Sequence, residues 1–544
     1  MRGRLPSRSR AKSRPNILWI SFEDTGPYYG CYGDPVARTP NVDRFAAQGC
    51  RWTNCFSTSG VCAPARSASI TGMYAISIGT HHMRTTHTHP AAPEMPTPYS
   101  AVPPHYVKCF TEYLRAAGYY CTNNSKTDYQ FDPPLTAWDD QGRDAHWRNR
   151  PDPDQPFFAV FNLMRSHESG MWPEKCPSPE FDPDGIEPPP HLPDTPKVRE
   201  ALARMYTHIA HNDREFGTLL EQLEADGLAD HTYVFNWSDH GPLPRGKRWP
   251  YDAGIHVPLI ARGPDLKGGR VCEDLVSTID LGPTMLSLAG VEIPHHIQGR
   301  AFLGEQARPS RDYVYASRDR HDVSYDMVRA VRDGRYKYIR NYRPDLPYLS
   351  WIPYRNRHPI MQEIWRLRVE GGLDEAQSAL FRYPRPVEEF YDTVADPYEV
   401  HNLAGNHRIR GDLERMREAL DAWIEEVGDM GRIPESEMVR TWYPEGRQPE
   451  TAPVVCVPIC AESPGIEPAP EGGTYDGPML LQLHCATQGA SIAYALEAGD
   501  NPHWLLYTEP LRLEAGEYRV RARAIRIGYK ESPEIRAKFL VREA

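Results

Sequence analysis

Ser59-Gly60-Val61-Cys62-Ala63-Pro64-Ala65-Arg66-Ser67-Ala68-Ser69-Ile70-Thr71-Gly72 reads as a loop running into a helix. Pro64 suits a first helical turn, residues 66–70 can propagate it and Gly72 can end it. Cys62 then sits at a helix N-terminus, where unpaired backbone N–H groups and the helix dipole favour an anion or an anionic nucleophile. Arg66, one turn on, can point back at the same anion. A buried cysteine beside a helix start carries the same local pattern, so the weight falls on what the rest of the chain brings to it.

Outward from that stretch, short apolar runs alternate with helical patterns. Residues 16–20 read as a buried parallel strand ending directly in Ser21-Phe22-Glu23-Asp24. Adjacent carboxylates just past a strand repel unless a cation or ionic partner neutralises them. A capped helix is expected from 39–46, another over 106–117 closed by Gly118, and a strand near 119–121 that leads to Lys126 and Asp128. Residues 157–163 form the next buried strand and deliver Arg165-Ser166-His167-Glu168. A long amphipathic helix spans 198–226, closed by Gly227. The strand 233–237 runs into Ser238-Asp239-His240-Gly241, with Arg245-Gly246-Lys247-Arg248 on the adjoining loop, and 257–260 is the last strand of this layer. Glu23, Asp24, His167, Asp239 and His240 thus all lie just beyond the C-terminal ends of apolar strands. In an open parallel α/β sheet that edge is where ligands bind.

At 544 residues two or three domains are expected. Hydrophobic content of 40% with 25% charged residues is that of a soluble globular protein. No apolar run is long enough to span a bilayer, and the basic start, 1–14, has no apolar signal region, so a cytoplasmic location is expected as written and a periplasmic or secreted one if the start is trimmed. A formal charge of −11 argues against a nucleic-acid partner. Eleven cysteines at irregular spacing make no disulfide framework, although Cys456 and Cys460 could pair. The His-, Thr- and Pro-rich stretch 81–104 is expected as a rim loop, with His81, His82, Arg84 and, further on, Asp128 as substrate contacts. The Pro- and Asp-rich stretch 173–196 is expected as a surface insertion and 313–340 as antiparallel strands.

The Cys62-x-Pro64-x-Arg66 frame with its Thr71-Gly72 close resembles the signature of the formylglycine-dependent sulfatases of the alkaline-phosphatase-like superfamily. Glu388-Glu389-Phe390-Tyr391-Asp392 and Ala395-Asp396-Pro397-Tyr398-Glu399 resemble the closing motif of bacterial members. The Glu-Asp start and the Asp-Pro-Tyr-Glu segment look closest to the branch with heparan N-sulfatases. The resemblance covers about residues 16–404. It implies an α/β/α sandwich over 15–310, a smaller α+β subdomain over 311–443, a linker over 444–470, and an appended β-sandwich over 471–544 similar to the immunoglobulin-like module of chitobiases. Because every catalytic candidate precedes Ala404, that module is expected to be dispensable for chemistry.

By position, the resemblance implies a divalent cation on Glu23, Asp24, Asp239, His240 and matured Cys62, with Ca²⁺ ahead of Mg²⁺ or Mn²⁺ because the donors are mostly hard oxygens. Arg66, Lys126 and Lys247 would hold sulfate oxygens and His167 would protonate the leaving group. A formylglycine-generating enzyme would oxidise Cys62, and the hydrated aldehyde would carry a covalent sulfate that leaves as the aldehyde reforms. The expected substrate is a sulfated carbohydrate or aryl ester, or an N-sulfamate. Four departures stand out: Ala65 where many members have Ser, Glu23 for the usual first Asp, Asp128 where many have His, and His240 where glycan sulfatases often have Asn. The Asp-His pair also occurs in phosphonate monoester hydrolases of the superfamily. A phosphodiesterase or phosphonate monoester hydrolase is therefore the enzyme alternative, and a glycan-binding protein with unmatured Cys62 the non-enzyme one.

Overall fold

The computed structural model describes residues 14–496 and 502–543. The basic tail expected over 1–14 lies outside these residues apart from Arg14. An eight-stranded sheet organises the first half of the chain: β1 (Asn16–Phe22), β2 (Cys50–Phe56), β3 (Tyr120–Asn124), β4 (Asp140–Gln141), β5 (Phe157–Leu163), β6 (Thr232–Ser238), β7 (Leu259–Arg262) and β8 (Arg270–Ser277). The spatial order is β4-β3-β5-β1-β6-β7-β2-β8. All pairings are parallel except those of β7, which runs antiparallel to both β6 and β2.

The central strands β1, β5 and β6 are buried at every position. Their near-continuous apolar composition follows, because helices cover both faces. Leu18, Ile20 and Phe22 face the helices Pro40–Gln48 and Pro196–Ala225, through Phe45, Leu202 and Phe216. Ile17 and Trp19 face the helices Cys62–Thr71, Phe110–Ala116 and Leu281–Leu288, through Ile70, Phe110 and Met285. The expected cap of the first of these helices takes another form. Thr39 makes no side-chain cap bond; its hydroxyl accepts from Gly30 N–H at 3.0 Å and donates to Asp43 at 3.1 Å.

A second sheet follows in the order β12-β11-β10-β9, built from β9 (Val314–Arg318), β10 (Val328–Arg332), β11 (Tyr336–Asn341) and β12 (Glu388–Asp392), all antiparallel. The helix Arg410–Val427 packs Leu413, Met416, Leu420 and Trp423 on its Val331, Tyr338 and Phe390. The C-terminal part is a two-sheet sandwich of β13 (Val454–Ile459), β14 (Gly472–Asp476), β15 (Met479–Cys485), β16 (Ser491–Ala495), β17 (Leu505–Leu506), β18 (Leu511–Leu513), β19 (Gly516–Ile525) and β20 (Ile535–Arg542). Its sheets run β13-β15-β18 and β14-β20-β19-β16-β17.

Three expectations need correction. The stretch 444–470 is not a linker throughout, because Val454–Ile459 is a strand paired with β15, and Val454 and Cys456 point into the sandwich core. The apolar alternation there is masked by the surrounding Pro and Glu. The stretch 173–196 is anchored rather than superficial, with Phe181, Ile186 and Leu192 buried in the main core. Cys456 and Cys460 are both free thiols.

The sandwich is docked, not tethered. Ile527, 5% exposed, belongs to the same apolar cluster as Trp19 and Phe110. Lys108 donates to Gly489 O and Ser491 Oγ, both at 2.7 Å, and Arg115 donates to Trp504 O at 2.6 Å. Gly528, at φ 84°, lies so close that a Cβ would stand 2.4 Å from Ala101 O.

Candidate active site

The loops beyond β3, β5 and β6 meet the start of the helix Cys62–Thr71 around a cavity of about 290 Å³. Cys62 is the first helical residue, 3% exposed, and Gly72 closes the helix with φ 67°. One ligand atom each from Asp24, Cys62, Asp239 and His240 lies within 4.8 Å of the others, and all four residues are buried. His240 Nε2 is 3.1 Å from Cys62 Sγ and 3.2 Å from Asp24 Oδ1. Its Nδ1 donates to Gly241 O at 3.0 Å, which leaves the Nε2 lone pair facing the cluster. Asp239 Oδ1 accepts from the N–H groups of Asp24 and His240, both at 3.1 Å, whereas its Oδ2, equally buried, has no hydrogen-bond partner. A buried carboxylate oxygen without a hydrogen bond, beside a second acid, a thiol and an imidazole nitrogen, is a donor set a divalent cation fits.

Glu23, expected among the ligands, stands outside this set. Its Oε1 takes the Lys126 ammonium and its Oε2 the Arg66 guanidinium at 3.4 Å. Burial alone would raise its carboxyl, but Lys126 and Arg66 outweigh burial and hold it well below the usual carboxylate range. Asp239 is shifted the other way, raised by burial and by the nearby Glu23 charge. Four carboxylates, Glu23, Asp24, Glu168 and Asp239, thus face four cations, Arg66, Lys126, Lys247 and Arg248.

Arg66 is fixed by more than its ion pair. It donates to Asn162 Oδ1 at 2.6 Å, Thr127 O at 3.0 Å and Lys126 O at 3.1 Å. Asn162 in turn accepts from Ser21 and donates to Asn123 Oδ1 and Asn124 O, which ties the Arg66 side chain to the Lys126 loop. Lys247 reaches Asp24 Oδ2 and Glu168 Oε1. The Lys247 loop is pressed on the loop before Cys62: Arg248 N–H donates to Gly60 O at 2.6 Å, and a Cβ at Gly60 would stand 2.5 Å from Trp249 O.

His167 has the opposite tautomer to His240. Its Nδ1 accepts from Ser169 N–H at 3.3 Å, so the proton sits on Nε2, at the cavity wall. Burial lowers its pKa, and the Asp24 carboxylate beside it works against that shift. Backbone strain gathers here as well: Asp24, Arg84, Asp128, Gln130 and Arg248 have φ between 48° and 79°.

Of the expected substrate contacts, Arg84 and Asp128 line the cavity, Arg84 paired with Asp322 at 2.6 Å and stacked 4.8 Å from the Tyr354 ring, Asp128 3.7 Å from Lys126. His81 and His82 do not. They are 2% and 5% exposed, their rings tilted against one another with centroids 4.2 Å apart, and lie among Asp319, Arg329 and Glu435 rather than on the rim. Glu168, Arg248 and Asn162 join the site beyond the residues expected from sequence; of these only Asn162 carries a sequence signal, a lone amide in the apolar strand β5.

The sulfatase family profile matches residues 15–149 and 146–291, and the profile for the C-terminal part of N-sulphoglucosamine sulphohydrolase matches 240–351. An ulvan-active sulfatase of Formosa agariphila is 39% identical over 98% of this chain and 93% of its own length. Human N-sulphoglucosamine sulphohydrolase is 27% identical over 77% of this chain and 91% of its own. Among solved structures, BT4656 in complex with its substrate D-glucosamine-2-N,6-O-disulfate superposes with a TM-score of 0.54 at 18% identity, over 77% of this chain and all of its own. The phosphonate monoester hydrolase of Silicibacter pomeroyi superposes with 0.55 at 18% identity, over 77% of this chain and 97% of its own, a likeness of fold alone. Matched from β1 through the C-terminal sandwich, the chain belongs to the sulfatase family and is a sulfuric ester hydrolase.

Proposed function

We propose that the cavity removes sulfate esters from a sulfated glycan, with ulvan the first to assay, and that Cys62 acts in its formylglycine form. The observation that carries this reading is the buried cluster of Asp24, Cys62, Asp239 and His240 at the C-terminal sheet edge, ringed by Arg66, Lys126 and Lys247. Ulvan takes precedence over an N-sulfated glucosamine because the ulvan-active relative matches at 39% over almost the whole chain, against 27% over 77% for the sulphohydrolase.

Asp24, Asp239, His240 and residue 62 would hold a divalent cation, Ca²⁺ before Mg²⁺ or Mn²⁺, and the bare Asp239 Oδ2 supports that fit. Bound there, the cation would draw charge off the sulfate oxygens. Burial pushes the Cys62 thiol well above its ordinary pKa, so an unmodified Cys62 stays a protonated thiol and a poor nucleophile. Conversion by a formylglycine-generating enzyme would supply a hydroxyl nucleophile and a second hydroxyl through which sulfate is released. Arg66, Lys126 and Lys247 hold the sulfate oxygens, and Glu23 is the countercharge that orients the first two. His167 would protonate the leaving sugar oxygen as the imidazolium and return to the neutral imidazole, with the Asp24 carboxylate 3.9 Å from its Nε2 favouring the charged form.

The test pairs the mass of the peptide carrying residue 62 with sulfate release from ulvan, N-sulfated glucosamine, and a phosphonate monoester. The expected result is an aldehyde mass at residue 62 and release from ulvan, lost in Cys62→Ala and Cys62→Ser with the fold intact. Full activity in Cys62→Ala, or a phosphonate monoester turned over faster than every sulfated substrate, would overturn the proposal.

A further inference from the structure

Lys247 is 3% exposed and its ammonium sits between two carboxylates, Asp24 and Glu168. Under the reading above, on which this inference rests, Asp24 gives its charge to the cation. A carboxylate bound to a divalent ion attracts an ammonium less strongly, because the ion is then the largest local charge. Lys247 carries its charge on a flexible four-carbon stem and needs another fixed partner to keep its direction.

Glu168 has the geometry for that task. It stands outside the four-residue cluster, so no cation competes for it. Arg248 grips it with two bonds, 2.6 Å to Oε1 and 3.0 Å to Oε2, and the same Oε1 pairs with the Lys247 ammonium at 3.2 Å. Arg248 is itself anchored, its N–H on Gly60 O at 2.6 Å and its carbonyl accepting from Arg318 at 2.6 Å. The Glu168 backbone N–H also donates to Asp24 Oδ2 at 2.6 Å, so one residue fixes both the acid and the lysine that flank Cys62. Glu168 is 2% exposed and lines the cavity floor beside His167.

We propose that Glu168 is a positioning residue that keeps the Lys247 ammonium aimed at the sulfate once Asp24 is committed to the cation. It touches no reacting atom. Its effect passes through Lys247, which makes the prediction specific.

A double-mutant cycle on matured, cation-loaded enzyme decides it. Glu168→Gln removes the charge at nearly constant volume, and a fall in kcat/KM on the order of 10- to 100-fold is expected, the range for losing one charged hydrogen-bond acceptor. In a Lys247→Ala background the same change is expected to cost about 3-fold or less, since its route is gone. Bound-cation content is expected to match wild type. The same cycle run with Glu168→Asp, which keeps a carboxylate for Arg248 but draws it back from Lys247, covers the case in which the glutamine variant does not fold. Effects of Glu168 and Lys247 that multiply in full, or a variant at wild-type kcat/KM, would overturn the proposal. Failure of the underlying reading looks different, as a wild-type enzyme whose activity survives complete removal of divalent ions.

Discussion

Replacing Ile527 by alanine separates a docked C-terminal sandwich from a dispensable one. Ile527 sits in the sandwich yet packs, 5% exposed, in the cluster formed by Trp19, Phe110, Leu114 and Met285 beneath the catalytic sheet. Truncating a buried Ile to Ala costs about 2–5 kcal/mol, and a mid-range 3 kcal/mol spread over a cooperative unit of roughly 400 residues lowers the midpoint by about 4 °C. The effect should also reach the active site. Ala101 N–H donates to Gln130 O and Asp132 N–H to Ser100 Oγ, so the segment against Gly528 buttresses residues that line the cavity. A chain ended at Pro453 loses Ile527, both acceptors of Lys108 and the Trp504 carbonyl that receives Arg115, and is expected to melt lower than Ile527→Ala and to lose rate even on a small aryl sulfate. Differential scanning fluorimetry and initial rates on both proteins form the assay. A folded truncation with unchanged midpoint and unchanged rate would refute the coupling and restore the independent module expected from the sequence.

Chelation of divalent ions is expected to abolish turnover and lower the melting midpoint, with Ca²⁺, Mg²⁺ or Mn²⁺ restoring both. At 100 times its dissociation constant a ligand adds about 2.7 kcal/mol, and elemental analysis showing a fully active, ion-free enzyme would contradict this. Acid should destabilise the fold through buried neutral histidines: burial pushes His358 down to about 4 and His191 down to about 3. Their folded pKa lies below the unfolded value near 6.5, so the unfolded chain binds more protons, and the stability present above pH 6.5 is lost as pH falls towards 4, by about 3 kcal/mol for His358 alone. Melting midpoints measured from pH 7 to pH 4.5 should fall less steeply in His358→Gln than in wild type, and equal slopes would count against the assignment.

The candidate site residues at the sheet edge are legible because β1, β5 and β6 are apolar at nearly every position, and a polar cluster straight after such a run marks a strand end. The strands β2 and β8 escaped notice for the converse reason. Cys50–Phe56 carries Arg and Asn on half-buried positions and Arg270–Ser277 carries Arg, Glu and Asp on exposed ones, so neither alternates cleanly nor reads as a buried run. The proline and glutamate around β13 mask its alternation, which makes the sandwich read as a separate body in sequence.

The pairing of charges had no such signal, because it is decided by sheet register. Phe22 lies level with Leu163 on one side and Ser238 on the other. The first residues beyond the three central strands therefore emerge at the same height, which brings Asp24 against Asp239 and the turn holding His167 and Glu168. The side chains of Glu23 and Asp24 then part: Asp24 joins Asp239 and His240, while Glu23 meets Lys126 from the loop after β3 and Arg66 from the helix. Sequence shows two adjacent acids that need countercharge. Only the register of β1 between β5 and β6 shows that one joins the cluster of Asp239, His240 and Cys62 and the other pairs with Lys126 and Arg66, and the same register gives Lys247 its second carboxylate in Glu168.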